Sequence, residues 1–194
     1  MKGLRVLHKP EAIARRVTAL GRQISRDFRG QTLDVVGLLD SGFLFMADLV
    51  RAIQLPVRTH FIRAEIQDII DPDTGKERQE IFYSPEIEAE GKNILLVKGL
   101  LGSGIPTDFL LRRIALHRPR VIKTAVLIDK PEERKISVEP DYWAFRVASN
   151  NIVMGYGLSQ AGLQGNLPYL GLWARGRSGG PARKRQRQTK RRKK

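Results

Sequence analysis

The chain contains no cysteine in 194 residues, which excludes disulfides and thiolate metal sites. It has no apolar run near the roughly 20 residues that a membrane-spanning helix needs. Met1–Pro10 lacks the apolar stretch of a secretory leader, so a cytoplasmic protein is expected. Its three histidines, His8, His60 and His117, are scattered without metal-ligand spacing and read as surface or packing residues. Acid is missing from one region in particular. Arg175 to Lys194 holds 11 Lys or Arg and no Asp or Glu, which leaves only +4 of the total +15 for residues 1–174. That region also lacks Phe, Tyr and Trp, so stacking on nucleic-acid bases is excluded there.

What is present is enough for one domain with a full core: 41% hydrophobic residues in a chain of this length. Ile13, Val17, Leu20, Ile24 and Phe28 recur at helical spacing and predict a helix over Glu11–Phe28. Gly30 ends it. Leu33–Leu39 reads as a buried parallel strand despite Asp34 and Gly37, Phe43–Ile53 as a helix and Val57–Ile62 as a strand. Residues 65–90 are the least regular, with an Asp71-Pro72-Asp73-Thr74-Gly75 turn between segments able to pair as a hairpin. Asp71, Asp73 and Glu77 are read as parts of that turn rather than as a metal loop. Ile94–Val97 is a strand, Pro106–His117 a helix and Val121–Ile128 a strand, with shorter strands at Trp143–Val147 and Ile152–Met154. This alternation predicts an α/β fold: an open, mostly parallel sheet flanked by helices. The domain is expected to occupy residues 1–174, followed by a disordered basic tail over 175–194 that is too polar to offset its ordering entropy. Trp143 and Trp173 read as core or interface aromatics.

Functionally the densest stretch is Ile94–Thr107, I-L-L-V-K-G-L-L-G-S-G-I-P-T. A strand, a glycine-bearing loop over 98–107 and a helix opened by Pro106 present backbone N–H groups to an anion. The stretch resembles the hypoxanthine-guanine phosphoribosyltransferase family, whose loop reads Glu-Asp-aliphatic-aliphatic-Asp-Thr-Gly. Phe45–Arg51, Gly91–Val97, Lys123–Pro131, Gly155–Leu158 and Asn166–Gly171 are similar to further segments of that family in the same order. The resemblance spans roughly residues 8–173 and implies a type I phosphoribosyltransferase-like fold.

The same resemblance marks departures. The paired acids that hold ribose hydroxyls in the family are here Lys98 and Gly99, and the Asp placed near the purine ring nitrogen is Gly102. Leu39-Asp40-Ser41 stands for a Leu-Lys-Gly loop that grips pyrophosphate. Ser159 replaces an Asp that helps organise Mg²⁺, Gly165 an Arg that meets pyrophosphate, and Ile152 the aromatic that stacks on the base. The Ser-Tyr lid has no counterpart near Ala64-Glu65. Transfer through an oxocarbenium-like state with a departing pyrophosphate needs charge placed where charge develops. The expectation is therefore a catalytically disabled homologue with no catalytic residue and no metal ligand of its own. It acts as a binding or interaction module and is expected to form a homo-oligomer.

Gly102, Ser103, Gly104 and Lys130 are the candidates for residual phosphate or purine-nucleotide binding. Lys130 matches the family lysine that donates to the purine 6-oxo group. Arg183, Lys184, Arg185, Arg187, Lys190, Arg191, Arg192, Lys193 and Lys194 are the candidates for contact with RNA or another polyanion. The alternatives are an active purine-salvage phosphoribosyltransferase, with Mg²⁺ required only in that case, and a non-catalytic nucleotide sensor.

Overall fold

The strands come in two sheets, and the larger one positions the site. The computed structural model describes residues 4–39, 41–70, 77–84, 87–148, 151–160 and 162–173, with 64–70 and 77–84 described by backbone alone. The elements run β1 (Leu4–His8), α1 (Pro10–Asp27), β2 (Leu33–Leu39), α2 (Phe43–Ala52), β3 (Val57–Ile70), β4 (Glu77–Ser84), β5 (Asn93–Leu101), α3 (Ile105–Ala115), β6 (Val121–Asp129), β7 (Tyr142–Arg146), β8 (Ile152–Met154) and β9 (Leu170–Trp173). The six-stranded sheet has the order β4-β3-β2-β5-β6-β7. β2, β3, β5, β6 and β7 pair in parallel, and β4 closes one edge as the antiparallel arm of a hairpin with β3. The predicted open, mostly parallel α/β sheet is what forms.

Parallel strands need both faces covered, and alternation along each strand divides the core accordingly. Val35, Leu95, Val97 and Leu127 pack with Ile13, Val17, Leu20, Phe45 and Leu49 of α1 and α2. Val36, Ile94 and Leu96 point the other way, onto Leu110 and Ile114 of α3. Each such side chain removed from water contributes about 1.5–3 kcal/mol. The acid inside β2 is satisfied: buried Asp34 accepts from His60 Nε2 at 2.8 Å and Arg58 Nη1 at 3.3 Å, both on the neighbouring strand.

Several boundaries differ from expectation. β5 continues through Lys98, Gly99, Leu100 and Leu101, so the expected 98–107 loop shrinks to Gly102-Ser103-Gly104. Pairing with β6 through Leu101↔Asp129 supplies ladder hydrogen bonds that local composition does not reveal. The strand expected at Trp143–Val147 begins one residue earlier and ends at Arg146. β1 and β9, absent from the sequence reading, join β8 in an antiparallel sheet of order β1-β9-β8. Strands this short carry too few residues for periodicity to register, and chain ends 165 residues apart supply their partners. The Asp71–Gly75 turn and the basic tail lie outside the described residues. No helix among the described residues is long and apolar enough to cross a membrane.

Candidate phosphate-binding site

The site lies at the carboxyl ends of β5 and β6, where ligands of open parallel sheets bind. β5 ends at Leu101, and the chain turns through Gly102, Ser103 and Gly104 into α3. Gly104 has φ 84°, a left-handed conformation open to glycine at little cost, and it starts the helix without a side-chain cap. In the first turn of α3 the N–H groups of Thr107 and Asp108 donate to Gly104 O at 3.0 and 2.9 Å and Pro106 has none, which leaves the Ile105 N–H without an intrahelical acceptor. Ser103 is half-buried beside them, its carbonyl accepting from Lys135 N at 3.0 Å.

β6 delivers Asp129 and Lys130, followed by a single 3-10 turn, Pro131–Glu133, and Arg134. Arg134 fastens the two strand ends together. Its guanidinium donates to the carbonyls of Gly102 at 2.6 Å, Leu101 at 2.9 Å and Lys130 at 3.2 Å, and Nε donates to Val138 O at 2.7 Å. It also pairs with the fully buried Asp129 carboxylate, whose second oxygen accepts from Arg146 Nε at 3.0 Å. Lys130, buried at 6% exposure, donates to Glu133 Oε1 at 2.9 Å and Asn151 O at 2.8 Å. The predicted residues Gly102, Ser103, Gly104 and Lys130 thus share one end of the sheet. Lys130 is held by partners of its own there. The nine basic residues of the tail lie outside the described residues, as does Asp40.

The positions expected to have lost acids show how complete the loss is. Lys98 turns its ammonium onto Thr107 Oγ1 at 2.6 Å, inside the first turn of α3. Burial, with Arg134 adding repulsion, lowers its pKa to about 8. At Gly99 a Cβ would fall 2.4 Å from the Ser41 carbonyl oxygen and 2.9 Å from Leu158 Cδ2. The Ser41 backbone thus occupies the space in which a side chain at position 99 would begin. At Gly102 a Cβ would meet Glu133 Oε2 at 2.9 Å, the far end of a flexible side chain, and Leu100 Cδ2 at an ordinary 3.6 Å. Ser159 is exposed, Ile152 is half-buried in β8, and the Gly165 carbonyl accepts from Gly157 N at 2.8 Å.

Sequence reasoning missed Glu133, Arg134 and Asp129. The signal for them was the charge cluster Asp129-Lys130-Pro131-Glu132-Glu133-Arg134 directly after a buried strand, where ion pairs can be desolvated.

The sequence pattern of the phosphoribosyl transferase domain matches residues 5–161. The hypoxanthine-guanine phosphoribosyltransferase of Aquifex aeolicus is 33% identical over 171 residues, which cover 86% of this chain and 93% of that protein. That of Dictyostelium discoideum is 34% identical over 170 residues, again 86% and 93%. The chain belongs to the hypoxanthine-guanine phosphoribosyltransferase family. A crystal structure of such an enzyme from Bacillus anthracis superimposes with a TM-score of 0.77 at 30% identity, covering 90% of this chain and 100% of that one. The fold is therefore the type I phosphoribosyltransferase fold. The bifunctional protein TilS/HprT of Listeria innocua is 28% identical over 168 residues, and there the chain spans 26% of a much longer protein.

Transfer chemistry in this family implies Mg²⁺, an ion bound through oxygen ligands and substrate phosphates. Asp129 and Glu133, acids at this end of the sheet, are already engaged. Among the described residues no group of three or more His, Asp or Glu could hold a metal ion. Asp129 is taken by two guanidinium groups and Glu133 by Lys130.

Proposed function

We propose that this phosphoribosyltransferase homologue binds a phosphorylated ligand, a purine nucleotide, at the β5–α3 turn without transferring a phosphoribosyl group. The observation that carries this reading is the closure at Gly99. The Ser41 carbonyl and Leu158 occupy the space of one ribose-holding acid, and a half-buried lysine stands in place of the other. Losing a single electrostatic catalytic group costs about 10²–10³ in rate, and here several are absent together. The phosphate side of the site keeps its chemistry in the α3 N-terminus, the Ser103 hydroxyl and the nearby Lys98 cation.

The test combines two measurements on the full-length protein. Inosine or guanosine monophosphate at about 100 times its dissociation constant should stabilise the fold by roughly 2.7 kcal/mol. With hypoxanthine or guanine, phosphoribosyl pyrophosphate and Mg²⁺, no nucleotide should form. Turnover near 1 s⁻¹, within the ordinary enzyme range, refutes the reading.

One observation favours a second reading, an active purine phosphoribosyltransferase. The Glu133 carboxylate lies where a side chain at position 102 would begin, so it is placed to supply the carboxylate that Gly102 lacks. On that reading Glu133→Gln abolishes a measurable transfer rate.

The basic tail completes the proposal. Its nine residues from Arg183 to Lys194 engage single-stranded RNA through phosphate neutralisation, without base specificity. With about 5–8 phosphates contacted at 0.7 each, log affinity should fall with log salt at a slope of about −3.5 to −6. Truncation after Gly180 should remove most of that binding and leave the melting temperature of the domain unchanged. Equal binding by the truncated protein would reduce the tail to a solvated appendage.

A further inference from the structure

Helix α1 buries Ile13, Val17, Leu20, Gly21 and Ile24 against the sheet and α2. At 100° per residue, Arg15, Arg22 and Arg26 project from the opposite side within a narrow sector, and Arg29 follows in the turn after the helix. All four are exposed. Among the described residues none of the four makes an ion pair or a side-chain hydrogen bond. Arg16, on another face, is engaged: Nε donates to Ala144 O and Nη2 to Trp143 O, both at 2.8 Å. Acids near the row are few. Asp27 faces away and accepts from Tyr142 OH at 2.8 Å, and Asp48 is shared by Arg51 and Tyr156. Glu11, one turn before Arg15, is the acid on that side of the helix. Like charges three and four positions apart destabilise a helix on their own, and a polyanion laid along the row reverses the sign of that interaction.

We infer that this face of α1 is a second binding surface, for the phosphodiester backbone of a single-stranded nucleic acid. From Arg15 to Arg26 is 11 residues of helix, about 17 Å at 1.5 Å per residue, with Arg29 in the turn beyond. A strand carries one charge per roughly 3.4 Å of axis in duplex geometry, so that length passes enough phosphates for each guanidinium to take one. Beside the row a cleft of about 440 Å³ opens between α1 and α2, with Thr18, Arg22, Gln54 and the paired Asp48 and Arg51 on its walls. Thr18, Arg22 and Gln54 offer donors to a phosphate or a base edge. The face does not suit a membrane, because the apolar side of α1 is in the core and the exposed side carries no large apolar residue. A second copy of the chain docked by two-fold symmetry would set arginine against arginine.

The head of α1 is near the last described residue, Trp173. β9 pairs antiparallel with β1, Trp173 opposite Leu4, and α1 starts at Pro10. Six extended residues at about 3.3 Å each keep Leu4 within about 20 Å of the head of α1. Two cationic segments on one chain engage one strand with an effective concentration set by that short span. The inference deepens the RNA reading of the tail but rests on different residues, so the two fail separately.

The experiment measures anisotropy of a fluorescein-labelled 20-nucleotide oligouridylate between 50 and 200 mM KCl. Four full-length proteins are compared: unaltered, Arg15→Gln/Arg22→Gln/Arg26→Gln/Arg29→Gln, a protein with all nine basic residues from Arg183 to Lys194 changed to Gln, and both sets combined. Four phosphate contacts at 0.7 each give a slope of about −3. The tail-altered protein should keep that slope, losing about 60-fold in affinity across the fourfold salt range, and the combined variant should lose it. The unaltered protein should have a slope steeper by about 3 than the helix variant. Arg→Lys at the four positions should restore it. An unchanged slope in the helix variant, or no salt-dependent binding by the tail-altered protein, overturns the inference while leaving the tail reading intact. Absence of binding by the unaltered protein at 50 mM overturns both. A DNA strand of equal length bound with the same slope identifies the backbone as the ligand, and tighter binding of RNA identifies the 2′-hydroxyl as an added contact. Preferential binding of phosphatidylserine vesicles overturns the nucleic-acid assignment. Unchanged melting temperatures show that the exposed substitutions leave the fold in place.

Discussion

Lys98 stands where the resemblance implies an acid, and its own chemistry departs from that of an ordinary lysine. Its pKa is lowered from 10.5 to about 8 by burial, then by Arg134. Between those values the unfolded chain holds a proton that the native protein has released, so stability rises with pH across the window. Below pH 8 the full cost of burying the cation is present. At about 1.4 kcal/mol per pKa unit the ceiling is roughly 3 kcal/mol, offset by about 1 for the bond to Thr107. Lys98→Met should therefore gain about 1–2 kcal/mol at pH 7 in urea unfolding and flatten the rise between pH 8 and 10. A decrease in stability at pH 7 would show that the cation is better solvated than its burial implies. The two lost-acid glycines separate in the same assay. Gly99→Asp forces the Ser41 backbone aside and should cost about 1–3 kcal/mol or more, as overpacking does. Gly102→Asp needs only the Glu133 side chain to swing and should cost less than about 1.5 kcal/mol. Equal costs would mean that the Ser41 loop yields as readily as a side chain.

Among the elements, α1 shows how one side chain can fix the docking of a helix. Its hydrophobic stripe sets which face is buried, but apolar contacts tolerate sliding. Arg16 removes that freedom by donating to two successive carbonyls of β7, an edge strand, and Asp27 adds its bond from Tyr142. The Tyr142 phenol is held above its usual pKa range by burial, then by Asp27, so this tie persists at alkaline pH. Arg16→Ala should cost about 1.5–3 kcal/mol, the range for hydrogen bonds to charged groups, and should raise hydrogen exchange along β7. Arg15→Ala, one residue away and exposed, should change stability by less than about 0.5 kcal/mol. The helix itself was legible from its period. That Arg16 and Arg15 have opposite roles was not, because the sequence does not say which strand lies beside the helix.

For the whole molecule, the exposed apolar residues point to assembly. Phe43 is 46% and Phe61 49% exposed, and Phe61 lies against Gly37, next to Met46 of α2. The domain is expected to dimerise through this end of α2, two-fold dimers being the commonest closed assembly. Light scattering on protein ending at Trp173 should give more than one subunit, and Phe43→Ser should shift the population toward monomer. A monomer at micromolar concentration refutes this. The amino-acid sequence by itself determined the α/β alternation, the helix faces, the glycine turn after β5 and the concentration of charge beyond Trp173. Each of these follows from local periodicity, turn chemistry or composition. It also pointed to Gly102, Ser103, Gly104 and Lys130, which share one end of the sheet, through ordered resemblance rather than through contact. Only the tertiary structure decided that β5 runs on to Leu101, that Arg134 ties the strand ends and that Glu133 holds Lys130. It alone closed the space beside Gly99 with the backbone of Ser41. The reason is physical: each of these depends on which carbonyl or carboxylate lies within 3 Å of a donor, and distant segments supply that partner once the sheet has formed.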